Sequence, residues 1–132
     1  PYRGIGVPIC SVTLLGRDLV GWANFGVTEN VWSRLTPDRI ATVPDFVLSV
    51  SRRHTVFCGD GVGMLDHLLN ESMGKRARLM THSCGLDRLQ GLVALSSHRL
   101  DQGEADPIES LAPNYLRPPG ITSPNFPQRV SF

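Results

Sequence analysis

The chain has 132 residues, 41% of them hydrophobic, which is enough to bury one core and too few for two ordinary domains. Thirteen basic residues against twelve acidic ones leave a net charge of +1, so no global field draws the protein onto nucleic acid or an anionic membrane, and any RNA contact must be local. No run reaches the roughly 18–20 apolar residues of a membrane span, because Arg17, Asp18 and Arg34 interrupt the longest candidates.

Residues 9–15 are apolar or β-branched, and 18–25 (DLVGWANF) continue with strand-forming types. Thr28 to Leu35 alternates, with Val31, Ser33 and Leu35 on one face and Gly26 marking the turn before it, so these segments predict a β-hairpin. A short strand over 40–43 leads to Pro44, a residue suited to a helix start, and Phe46, Val47 and Val50 give helical spacing up to Ser51. His54 to Cys58 predicts a compact strand closed by Gly59-Asp60-Gly61, whose glycines permit backbone angles other residues avoid. Met64, Leu65, Leu68 and Leu69 form a helical stripe that stops near Gly74, and 78–80 can form another short strand. In the longest predicted helix Leu86, Leu89, Leu92, Val93 and Leu100 line one face, with Gly103 at the C-cap.

After Pro107 the composition changes. Six of the ten prolines lie between Pro107 and Pro127, so residues 113–132 are expected to be an extended arm beyond a folded unit spanning 1–112.

Few residues support chemistry. Asp60 is the one candidate for cofactor binding, since a glycine turn at a helix start lets backbone N–H groups approach an anion. The turn lacks the Lys and Ser/Thr of a P-loop, and the alternative is a tight turn in which Asp60 caps the next helix. His54, His67, His82 and His98 show no zinc-helix spacing. Cys10, Cys58 and Cys84 have no C-x-x-C spacing and cannot pair completely, which fits reduced thiols in a cytoplasm. Of possible nucleophiles, Cys84 beside His82 is better placed than Cys58 at the end of an apolar strand. Arg52-Arg53-His54 and Lys75-Arg76 with Arg78 are the basic clusters; without interleaved aromatics they read as solvated turn edges able to steer a larger RNA. Trp22 and Trp32 are expected on opposite arms of the hairpin as cross-strand packing.

Three segments carry a resemblance. Gly6-Val7-Pro8-Ile9-Cys10-Ser11-Val12-Thr13, the strand, turn and helix of 55–65 (TVFCGDGVGML), and Pro113-Asn114-Tyr115-Leu116-Arg117 after an acidic stop at 103–107 are similar, in order and separation, to the second half of the TsaB (YeaZ) family. Arg17-Asp18-Leu19-Val20-Gly21 replaces the family's R-G-E-V-Y type turn without its Glu, and the first lobe with its D-T-S type motif is absent from these residues. The chain begins at Pro1, compatible with Met removal or with a fragment of a longer protein, and nothing in it reads as a secretory leader.

The resemblance implies an α/β fold, a single ribonuclease-H-like lobe of the actin-like ATPase superfamily, with antiparallel hairpin strands joined to a mixed sheet and flanking helices. It implies a non-catalytic subunit that supports a TsaD-type catalytic subunit, alongside a TsaE-type ATPase, in threonylcarbamoyl transfer to adenosine in tRNA, with tRNA engaged only indirectly. Relatives have also been called glycoproteases, but neither a zincin motif nor a Ser/His/Asp set is recognisable. No catalytic residue, metal or cofactor is expected. The residues expected to shape interaction surfaces are Trp22, Trp32, Tyr115 and Leu116, with Tyr115 and Leu116 docking the arm and the tryptophan hairpin forming a homodimer contact. A stand-alone interaction module and a small hydrolase or nucleotide-binding enzyme using Asp60 with Cys84 or His82 are the competing classes.

Overall fold

The computed structural model describes residues 6–28, 31–50, 52–81 and 85–117. It is a mixed α/β fold in which strands β1 (Ile9–Leu14), β2 (Leu19–Thr28), β3 (Val31–Arg34), β4 (Arg39–Thr42), β5 (Thr55–Cys58) and β6 (Ala77–Leu79) form one sheet. Helices α1 (Val43–Val50), α2 (Val62–Met73) and α3 (Gly85–Asp101) complete it. The strand order is β3-β2-β1-β5-β6, antiparallel between β1 and its hairpin partner β2 and parallel from β1 through β5 to β6.

The ten-residue β2 is long enough to serve two partners on one edge: Leu19–Trp22 pair with β4, and Phe25–Thr28 pair with β3. Asn24 lies between them. Its carbonyl accepts a hydrogen bond from the Leu35 N–H (2.8 Å) and its own N–H donates to Thr36 Oγ1 (3.0 Å), so the link from β3 to β4 detours around it without leaving the backbone groups unpaired.

Alternation along the strands decides which face is buried. Cys10 and Val12 of β1, Val20 and Trp22 of β2 and Phe57 of β5 share the face covered by α1 and α2. Phe46 of α1 is fully buried there, edge-on to both Trp22 (centroids 5.1 Å apart) and Phe57 (6.3 Å). Helix α1 starts at a reciprocal cap: Thr42 Oγ1 accepts from the Asp45 N–H while donating to Asp45 Oδ2.

Helix α2 corrects the sequence expectation. The buried stripe is Val62, Leu65, Leu69 and Met73, while Met64 and Leu68 are more than 40% exposed. Steps of three and four residues keep the first set over the sheet, and Met64 and Leu68 each lie about 100° off it. The tryptophans are corrected too. Trp22 pairs with Val12 and Arg39, Trp32 pairs with Val27, and the two therefore do not pack across a common hairpin. Trp22 belongs to the core at 6% exposure and is closed to any partner, whereas Trp32 is half-buried.

Helix α3 differs from the other two. It ends as expected, with Gly103 at φ +73°, its N–H bonded to the Leu100 carbonyl and the Glu104 N–H bonded to the Arg99 carbonyl, a Schellman closure. Yet none of its described residues is buried.

Candidate functional site

The Gly59-Asp60-Gly61 turn closes β5 against β1. The Gly61 N–H donates to the Val12 carbonyl, and a Cβ on Gly59, at φ +111°, would lie 2.2 Å from the same oxygen. Only glycine fits, so the turn is explained by backbone approach. Asp60 is exposed and makes no helix cap: Gly61 occupies the N-cap position and no side chain bonds there. The capping role expected for Asp60 is therefore absent, because the tight approach to Val12 advances the helix start beyond it. No other side chain joins Asp60 in a site among the described residues.

The two described thiols, Cys10 and Cys58, are not activated. Burial, with a smaller contribution from the neighbouring Cys58, pushes the Cys10 thiol up to about 12, and burial raises Cys58 as well. His82 and Cys84 lie outside the described residues. Among the described residues no group of three His, Cys, Asp or Glu side chains could hold a metal ion. His67 and Glu71, both exposed, form a loose pair at 3.7 Å on α2. Of the second basic cluster, Arg76 is committed to closing α2, its Nε donating to the Met73 carbonyl.

What the fold presents instead is apolar surface. Leu86, Leu89, Leu92, Val93, Leu95 and Leu100 of α3 are 55–66% exposed. Leu86, Leu89, Val93 and Leu100 follow steps of three, four and seven residues, a seam along a helix of about 25 Å. Exposed apolar residues in such a contiguous line are a surface that folded chains seldom leave bare. The second surface is the sheet face opposite α1 and α2, where Ser11 and Thr13 of β1 stand beside Gly21, Ala23 and Phe25 of β2, with Arg34 stacked over Phe25 at 5.1 Å. Its small side chains leave room for close approach.

The segment after α3 rests on part of that face. Leu116 lies against Gly21 and is half-buried, Arg117 Nη1 donates to the Leu15 carbonyl at 3.3 Å, and Asn114 Nδ2 donates to Asp38 Oδ2 at 3.0 Å. Tyr115, expected to dock beside Leu116, is 74% exposed, because neighbouring residues of an extended segment face opposite ways. Residues 118–132 of the predicted arm lie outside the described residues. Arg99 ties α3 to the acidic stop through Glu104 and Asp106, and those hydrogen bonds, Asp106 first, raise its pKa.

The α3 seam was visible in the sequence as an amphipathic stripe; that it faces no other part of the described fold was not. No helix among the described residues is long and apolar enough to cross a membrane. No family model matches the chain, and no curated protein matches it.

Proposed function

We propose that this chain acts as the C-terminal lobe of a TsaB-type partner subunit, without a catalytic residue of its own, supporting threonylcarbamoyl transfer to adenosine in tRNA. The observation that carries the reading is α3, a well-capped helix whose apolar seam has no cover among the described residues. A helix of this kind suits a lobe that binds another lobe or subunit. The mixed sheet, with antiparallel strands joined to parallel ones and helices alternating with the later strands, supports a ribonuclease-H-like lobe. The docked Leu116-Arg117 pair supports the same family reading, since it gives a structural use to the Pro113–Arg117 segment.

Partners of TsaD and TsaE type follow from this reading, and so does action in the cytoplasm, where tRNA is modified. Depletion of the encoding gene in its host is expected to lower threonylcarbamoyladenosine in bulk tRNA, measured by nucleoside mass spectrometry. A chain carrying Leu89→Glu with Val93→Glu is expected not to restore it. An unchanged level of the modified nucleoside on depletion overturns the proposal. A second reading, an interaction module outside tRNA modification, is favoured by the same exposed seam; it predicts stable capture of another partner through α3 with the modification intact.

A further inference from the structure

At one end of the sheet three connections converge: Pro8 before β1, the detour of Leu35 and Thr36 around Asn24, and the end of α1 with Arg52 and Arg53 leading to Thr55. They enclose a cleft of about 370 Å³, within the size range of small-molecule sites. It lies at the amino ends of the parallel strands β1 and β5, away from the Gly59–Gly61 turn at their carboxyl ends.

The lining is one-sided in its chemistry. Arg52 and Arg53 contribute two positive charges, and among the described residues no aspartate or glutamate lines the cleft. Neither guanidinium has an ion pair among the described residues, in contrast to Arg34 with Asp38 and Arg99 with Glu104 and Asp106. The hydroxyls of Ser49 and Thr55 are spent on the carbonyls of Phe46 and Arg53. Thr36 Oγ1 only accepts, from the Asn24 N–H, so its proton is available, and the Asn24 side-chain amide has no partner among the described residues. Available donors and two consecutive arginines with no ion pair among the described residues therefore line one concavity. Pro8, Leu35 and Val50 supply an apolar wall.

We propose that this cleft binds a small molecule bearing a phosphate monoester, with Arg52 and Arg53 holding the dianion, Asn24 and Thr36 donating to its oxygens and the apolar wall taking the organic part. Two adjacent like charges repel, and a dianion relieves both where a carboxylate relieves one. Planar guanidinium forks match phosphate oxygens in pairs, which lysine does not. This inference stands apart from the TsaB-type reading, since it does not use α3 and the residues assigned to the phosphate, Asn24, Thr36, Arg52 and Arg53, lie outside the segments that carry the resemblance.

The test is a titration of the isotope-labelled full chain with inorganic phosphate, adenosine monophosphate and a short single-stranded RNA, followed by amide chemical shifts. Saturable shifts at Asn24, Thr36 and Arg53 are expected with phosphate and, more tightly, with the nucleotide. Arg52→Ala and Arg53→Ala are each expected to weaken nucleotide binding about tenfold or more, and the charge-preserving Arg52→Lys and Arg53→Lys to recover only part of it. Arg78→Ala, which alters an exposed arginine outside the cleft, is expected to leave binding unchanged. Absence of saturable shifts in the cleft overturns the proposal, as does an equal loss in Arg78→Ala, which indicates generic charge attraction. Tighter binding of the RNA than of the nucleotide overturns the assignment to a small molecule. Unaltered spectra of the unliganded variants outside the cleft show that a loss of binding is not a loss of fold.

Discussion

Helices α2 and α3 begin from similar sequence material and end in opposite situations. Both carry apolar residues at three- and four-residue steps, both end at a glycine with positive φ, and both follow a strand of the same sheet. Yet α2 buries Val62, Leu65, Leu69 and Met73 against that sheet, while the α3 seam is left uncovered by the described residues. The difference teaches that an amphipathic pattern specifies a helix and a face but not the surface which that face meets. Beneath α2 lie Val12, Phe57 and Phe46, large and fully buried; no element of the described fold offers α3 a comparable bed.

Three changes break or sharpen this contrast. Phe46→Ala removes the ring wedged between Trp22 and Phe57 and is expected to cost about 3–5 kcal/mol, because a fully enclosed aromatic leaves a cavity its neighbours cannot fill. Chemical denaturation measures it, and a loss below about 1 kcal/mol means the α1 and α2 layer is not the core.

Alkaline pH probes the same layer through a single proton. Cys10 titrates at about 12 in the folded chain against an ordinary thiol value of 9.0, so the folded state keeps a proton that the unfolded state loses. Its contribution to stability is complete below pH 9.0 and declines above it by about 1.4 kcal/mol per pH unit until the folded thiol ionises. Cys58, also raised, acts in the same direction. Unfolding free energies from pH 8 upward are expected to show this slope, and Cys10→Ala to flatten it; an equal slope in the variant assigns the loss to other groups.

The smallest effect is expected in α3. Leu89→Glu with Val93→Glu changes two exposed residues to good helix formers, so the stability of the chain alone should stay within about 0.5 kcal/mol per site. A loss of several kcal/mol in thermal unfolding shows that the seam is covered within the chain itself, and the contrast with α2 then disappears.

Much of the architecture was readable along the chain because it is local. The apolar, β-branched and strand-forming residues of 9–15 and 18–25, the Gly-Asp-Gly stop after β5 and the C-cap at Gly103 concern neighbouring residues, whose conformational preferences act without the rest of the fold. What was misjudged depends on distant partners. Trp22 and Trp32 are both aromatic strand residues, and the register that sends one into the core and leaves the other half-buried is set by β4 and α1, far away in sequence. Asp60 has the composition of a helix cap, but the approach of Gly59 to the Val12 carbonyl decides where the helix begins. Tyr115 and Leu116 are equal as apolar candidates, and only the bare surface over Gly21 separates them.

The amino-acid sequence by itself thus determined the order and kind of the secondary elements, the glycine stops and the absence of a strong charge field, since these follow from single-residue conformational preference, periodicity and counting. Only the tertiary structure decided which stripe of α2 is buried, that α3 finds no bed among the described residues, and that Arg52 and Arg53 join Asn24 and Thr36 in one cleft. The physical reason is that burial and electrostatic environment belong to pairs of surfaces, and those pairs exist only once residues far apart in the chain have been brought together.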